Sequence, residues 1–267
     1  MKVVHLVYVV YLLSLAGAFG STATNQSADL HPVFTAQEQK LKEAYNYGRE
    51  WRKKKKNHAE LWGPWRKDLA KVRQPDYASW TAPNVVILTP TCVAAMKGYE
   101  DQMRYVEYEQ GFKQVLDILS TPPRHIMVVV NLYAWPGIND FTDRVNRPAR
   151  REDVEDVEFC MIVDGKSVLR PTEVKQLGNT VVKERNAPYL GINSAFISAY
   201  PGGTSTVSVY TIESESYTAY AATYILAFPA FDTDGRPTIP ASARTIEVKA
   251  FRPTYEHSCR FDLHKLK

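Results

Sequence analysis

The spacing of apolar residues changes character about midway along the chain. From Phe34 to Ser120 they recur three or four positions apart, the period of a helix with one buried stripe; from Arg124 to Phe261 many alternate with polar residues, the period of a strand with one buried face. In the first half Thr35 and Glu38 have the spacing of a capping box, which predicts a helix starting there. Leu41, Ala44, Tyr45, Gly48 and Trp51 supply its apolar stripe as far as the basic run near Lys55. The segment Ala59 to Val72 reads as two short helical pieces interrupted by Gly63-Pro64, because proline offers no amide donor and glycine weakens a helix.

Val85 to Leu88 is either a short strand or an apolar lead-in to a helix. Thr89-Pro90 then gives a strong helix start, a threonine cap followed by a proline at the first helical position. Val93, Met96, Tyr99, Met103 and Val106 form the apolar side of that helix, with Lys97, Glu100 and Asp101 on the wet side. Gly111 marks a break or a close approach, and Phe112, Val115, Leu116 and Leu119 form a last stripe before Thr121-Pro122-Pro123. Tyr45, Tyr47, Tyr99 and Tyr105 stand at helical spacings and are expected to serve packing.

In the second half, Ile126 to Leu132 is a nearly continuous β-prone run, and Asn139 to Glu155 is rich in turn formers and charge. Val157, Phe159, Met161 and Val163 alternate up to Asp164-Gly165, a strong hairpin signal. Val181-Val182 and Ala195 to Tyr200 are further strand candidates. Pro201-Gly202-Gly203 opens another strand with Val207, Val209 and Thr211, and Glu213 to Ser216 reads as a turn into Tyr217 to Phe228. Tyr220, Tyr224, Leu226 and Phe228 form one bulky row there and Ala219, Ala221, Thr223, Ile225 and Ala227 the other, so this strand is expected to be central and covered on both sides. Ile246, Val248 and Ala250 alternate with Glu247 and Lys249, a half-buried strand.

Together these elements predict an α+β protein, an N-terminal helical region packed on a C-terminal antiparallel β-sandwich, immunoglobulin-like or related. The expected divisions are a signal peptide at 1–20, a flexible linker at 21–33, a mainly helical region at 34–120, a β-sandwich at 124–261 and a tail at 262–267. Val3 to Phe19 is almost free of polar side chains behind a single Lys2, and small residues at Ala16 to Gly20 suit cleavage; a retained membrane anchor is the competing reading. Secretion or periplasmic export follows from the first of these. Cys92, Cys160 and Cys259 show no metal spacing and serve either as small buried hydrophobes or, for Cys160 and Cys259, as one disulfide.

The net charge of +4 is mild, but Arg52 to Lys56 concentrates the basic excess. That run suits an anionic partner, and equally a solvated helix end opposing the negative end of the helix dipole. Catalytic signals do not converge. The six histidines form no paired metal motif, and no Gly-x-Ser-x-Gly elbow is present. Cys160 with His257, and Cys92 with His125, are thiol and base pairs that folding would have to bring together. Glu152, Asp153, Glu155, Asp156 and Glu158 could supply two carboxylates for glycoside chemistry, but a charged loop leading into a strand explains them as well. Asp232 to Gly235 starts like a calcium loop, yet Ala243 stands where the bidentate acid belongs.

No catalytic, cofactor-binding or metal residue is assigned, and no cofactor. The functional expectation is a secreted or periplasmic, non-catalytic binding or assembly protein. An exported hydrolase on a β-scaffold and a structural subunit exchanging an edge strand are the alternatives. The expected contact surface combines Arg52, Lys53, Lys54, Lys55, Lys56, Trp62 and Trp65 with Trp135, Arg144 and Arg147. Its partner would be a protein or an anionic surface polymer; export disfavours nucleic acid, no stable membrane span is expected after signal removal, and a homo-oligomer is compatible.

Overall fold

A computed structural model describes residues 29–56, 58–68, 70–73, 84–134, 137–139, 144–147, 154–200, 203–252 and 255–266. The expected signal peptide, Trp135 and most of the expected loop that carries Trp135 lie outside them. Among the described residues the helices are α1 (Glu38–Lys53), the single turn α2 (His58–Leu61), α3 (Pro90–Met103) and α4 (Tyr108–Leu119). Strands β1 (Arg66–Asp68), β3 (Asn84–Leu88), β4 (His125–Ala134), β10 (Gly203–Pro229) and β9 (Glu173–Tyr200) form one antiparallel sheet in that order. A second sheet runs β2 (Ala70–Arg73), β12 (Tyr255–Asp262), β11 (Thr245–Arg252), β7 (Glu158–Val163) and β8 (Ser167–Leu169). A small pair, β5 (Gly137–Asn139) with β6 (Arg144–Arg147), stands apart. The molecule is a mixed α+β fold.

Period two decides which core each residue joins. In β3, Val85 and Ile87 join Val128, Val130, Tyr224, Leu226 and Phe228 in a core that also holds Phe159, Met161, Ile246, Val248 and Phe261 from the second sheet. The alternate positions Val86, Leu88, Val129 and Ile225 meet Leu41, Tyr45, Val93, Met96, Phe112 and Val115 from the helices. The central strands of the first sheet are therefore buried on both faces, as the two apolar rows of Tyr220 to Phe228 imply. β11 keeps one polar face instead: Lys249 pairs with Glu256 at 2.6 Å and Glu247 with Arg260 at 3.4 Å, while Ile246, Val248 and Ala250 are fully buried.

Several local signals act as expected. Thr89 accepts from the Cys92 amide at 3.1 Å as the cap of α3. Asp164 and Gly165 both take positive φ, 49° and 69°, in the turn between β7 and β8, which is why an Asp-Gly pair stands there. The Asp164 carboxylate also accepts from the backbone amides of Arg244 and Thr245 at 2.9 and 2.8 Å, tying the hairpin to the start of β11.

Other expectations are corrected. Thr35 does not cap α1: its hydroxyl donates to the Pro32 carbonyl, and the helix begins three residues later with Gln37 as cap. Arg66–Asp68 and Ala70–Arg73 are extended rather than helical, because each sheet offers one of them a place: β1 pairs with β3 and β2 with β12. Lys97 and Asp101 are buried, since α3 lies between α1 and the first sheet and has no wet side along that row. Tyr105 does not pack; it is 90% exposed at φ 57° in the bend between α3 and α4. Gly111 is a close approach within α4, facing the Tyr45 hydroxyl and the Asp101 carboxylate.

The largest correction concerns the long ribbon. Glu213 to Ser216 is no turn; it runs inside β10, paired with Asn186 to Tyr189 of β9. The separate strands expected around 181–182 and 195–200 are likewise parts of one β9, and the chain reverses between Tyr200 and Gly203, which face each other. Strand signals cannot distinguish a turn from a polar stretch of strand until the partner's register is known.

Candidate functional site

The basic run sits at the C-terminal end of α1, where positive side chains oppose the negative end of the helix dipole. Its members are already occupied to different degrees. Arg52 is half-buried with its guanidinium 5.7 Å from the Tyr99 ring centre, Lys53 pairs with Glu50 at 2.6 Å, and the Lys56 ammonium lies 4.4 Å from the centre of the Trp51 ring. Lys54 and Lys55 are exposed. Trp62 is half-buried, and Trp65 is only 2% exposed in the helix-side core, with Tyr47 edge-on to it at 6.3 Å. Trp65 is thus a packing residue and offers no contact surface. Arg144 and Arg147 stand opposite Asn139 and Gly137 in the β5–β6 pair.

The expected pair of Cys160 with His257 does not form. Cys160 is on β7 and His257 on β12, with β11 between them; moreover Ala250, opposite His257, belongs to the inter-sheet core, whereas Lys249, opposite Cys160, belongs to the outer face. The same separation keeps Cys160 from Cys259, and all three cysteines are free and buried. Burial raises their thiols, Cys92 well above the ordinary range and Cys259 to about 12, so neither is a ready thiolate near neutrality. A cleft of about 440 Å³ lies between Pro32 to Gln37, the end of α4 and the start of β4. Among the described residues lining it, His125 is the only ionisable side chain, so these residues bring together no acid and base. Around the Asp232 to Gly235 turn the Asp232 carboxylate is used by the Asp234 and Arg236 amides at 2.9 and 2.8 Å.

One polar cluster is fully built, but it is internal. Tyr45 of α1 donates to the Asp101 carboxylate of α3 at 2.8 Å, Lys97 pairs with the other oxygen of that carboxylate, and Arg49 donates to the Tyr45 hydroxyl at 3.3 Å and to the Val106 carbonyl at 2.9 Å. Burial, supported by Asp101, pushes the Tyr45 hydroxyl up to about 12. The cluster ties α1, α3 and the bend before α4 together. Amphipathic spacing alone missed it, because i, i+4 charges on a helix normally read as a wet face.

The feature with unused bonding capacity is the β9–β10 ribbon. The strands have 28 and 27 residues. β4 covers β10 only from Tyr220 to Pro229, and the β9–β10 register shifts between Tyr217 and Ala219 as the ribbon leaves the sheet. Such a bulge increases local twist and re-aims the strands beyond it. From there to Tyr200 and Gly203 the ribbon continues for about 55 Å at roughly 3.3 Å per residue. Among the described residues, no strand pairs with the outer edge of β9 or with the β10 edge from Gly203 to Ala219. An isolated two-stranded ribbon is marginal in water, and its edges are templates for further strands. Comparison of the chain with protein-family models, curated proteins and solved structures gives no match.

A pH dependence arises at the N-terminal side of the fold. Asp29 to Phe34 is docked by a His31 amide bond to the Ile239 carbonyl and an Ala241 amide bond to the Asp29 carbonyl, both 2.9 Å. His31 is buried, with its ring 5.9 Å from His264; burial first, and His264 second, lower its pKa against an opposing pull from Asp164. The unfolded chain then binds a proton more readily than the folded one. Stability from this site is present above about pH 6.5 and is lost as pH falls through the lowered value. The urea midpoint is expected to fall between pH 7.5 and 5, and the fall to shrink in His31→Gln. An unchanged pH profile in that variant would count against the assignment.

Proposed function

We propose that this is a non-catalytic, secreted or periplasmic assembly protein in which a β-sandwich, backed by helices on one face, carries the β9–β10 arm as its docking element. The observation that carries the reading is the long ribbon whose two edges have no partner strand among the described residues, built on a sheet whose other central strands are covered on both faces. The cleft at His125 and the buried, high-pKa thiols give no support to a hydrolase. Export rests on the apolar Val3 to Phe19 run with its small-residue end. Arg52 to Lys56 serves mainly as the solvated end of α1, with Lys54 and Lys55 left for an anionic contact.

The test compares the full chain with a variant in which residues 184–216 are replaced by Asn-Gly, the pair that favours a tight hairpin. Sedimentation velocity is run with and without dodecyl maltoside micelles. The full chain is expected to associate in at least one condition, and the shortened chain to stay monomeric in both with the same helix signal by circular dichroism. Equal association of the two would show that the arm is not the docking element.

A further inference from the structure

The arm carries a second pattern that its edges alone do not explain. From Asn186 to Ile212 the chain contains no Asp, Glu, Lys, Arg or His, whereas Lys183, Glu184 and Arg185 precede this run and Glu213 and Glu215 follow it. In the register, Glu213 stands opposite Tyr189 and Gly203 opposite Tyr200. The uncharged part of the ribbon is therefore bounded by a charged collar at its base, with Tyr189 at the base, Tyr200 at the tip and Tyr210, opposite Ile192, three positions in from Glu213. We propose that several copies of this chain pair their arms edge to edge into a closed β-barrel whose uncharged part spans a lipid bilayer. This deepens the assembly reading and rests on it.

Three physical arguments converge. The first is length. Tyr189 to Tyr200 covers about 36 Å along the strand at roughly 3.3 Å per residue. At the 35–45° tilt of membrane barrels this projects to about 26–30 Å, against an apolar band of about 25 Å flanked by aromatic girdles. On the returning strand, Gly203 to Ile212 matches the roughly 9–11 residues that a tilted membrane strand requires.

The second is edge geometry. β9 and β10 are antiparallel, so placing the free edge of β9 beside the free edge of a neighbour's β10 continues an antiparallel sheet with every arm pointing the same way. Pairing β9 with β9 would leave both β10 edges open. A repeated β9-to-β10 contact is heterologous and closes only as a ring. Pro188, which has no amide hydrogen to offer a neighbour, lies just below Tyr189 and sets the lower limit of that contact. The third is backbone bonding. A lone ribbon would leave unpaired amides and carbonyls in hydrocarbon, whereas a closed barrel leaves none, so entry into the bilayer and closure of the ring require each other.

The test uses the full chain and vesicles of phosphatidylcholine and phosphatidylglycerol holding a self-quenching dye. Dye release is expected, together with vesicle-bound oligomers that survive mild detergent. Val207 and Ser208 stand near mid-depth, opposite Ala195 and Ser194, and successive strand positions face opposite sides of a barrel wall. One of the two single variants, Val207→Arg or Ser208→Arg, is expected to lower release roughly tenfold or more by setting a charge against lipid, while the other, facing the lumen, leaks and changes ion selectivity. Ser216→Arg, below the uncharged part, is expected to leak as the parent does. Matching urea midpoints for all variants exclude a folding defect. Equal tolerance or equal loss at 207 and 208 overturns the barrel, as does the absence of dye release. Arm-dependent oligomers without release would overturn the bilayer proposal while leaving the assembly reading in place.

Discussion

Gly98→Ala is expected to destabilise the protein by roughly 3 kcal/mol, although alanine is ordinarily worth about 1 kcal/mol more than glycine inside a helix. The sign reverses because α1 and α3 cross at two reciprocal glycines. A methyl on Gly98 would overlap the Tyr45 backbone carbonyl, and one on Gly48 would overlap the Ala95 carbonyl and stand 2.9 Å from the Tyr99 amide nitrogen. These neighbours are backbone atoms and cannot rotate away, so the helices must separate. Separation would loosen the contacts of Leu41, Tyr45, Val93 and Met96 that cover the first sheet. For a chain of this size the melting temperature should drop by roughly 6–12 °C, read by circular dichroism, and Gly48→Ala should behave similarly. Gly63→Ala is the control, because a Cβ there meets nothing within 4 Å. Retention of the parent melting temperature by Gly98→Ala would disprove the close crossing.

Asp101→Ala is expected to cost about 3–5 kcal/mol, the range for breaking a buried ion pair from one side. Asp101 is 1% exposed, and its removal leaves the Lys97 ammonium and the Tyr45 hydroxyl buried without their acceptor. The double variant Lys97→Met with Asp101→Leu should recover much of the loss, since it removes both charges and fills the space with apolar atoms. Tyr45→Phe should cost less than Asp101→Ala, because it leaves the ion pair in place. Urea denaturation of the four proteins forms the test. A double variant no more stable than Asp101→Ala would assign the loss to the site's packing rather than to the orphaned charge.

The glycine crossing and the burial of the ion pair both arise between segments distant along the chain. The stripe of Leu41, Tyr45 and Gly48 was visible from spacing, but the need for glycine at 48 and 98 was not, because it arises from a helix crossing between residues fifty positions apart. Lys97 and Asp101 look like a wet i, i+4 pair until Tyr45 and Arg49 arrive from another helix and α3 is covered on its other side by the first sheet. Arg66 to Arg73 carries no alternation strong enough to announce a strand. Arg66–Asp68 and Ala70–Arg73 become strands by completing one edge of each sheet. Within the expected contact surface, the basic run lies at the end of α1, whereas Trp65 is drawn into the core by packing partners that spacing does not reveal.

What the sequence determined by itself are the features governed by neighbours along the chain. Thr89-Pro90 starts a helix, Asp164-Gly165 turns a hairpin, Ile246 to Ala250 alternates across a half-buried strand, and the two apolar rows of Tyr220 to Phe228 require cover on both sides. Their causes are a cap bond, a backbone angle and a side-chain period, all local. Tertiary structure alone decided which strands are neighbours, that Glu213 to Ser216 continues a strand instead of turning, and that β9 and β10 outrun the sheet that supports them. Those outcomes depend on hydrogen bonds and desolvation between segments distant in sequence, and no local pattern encodes which distant edge will be met and which left open.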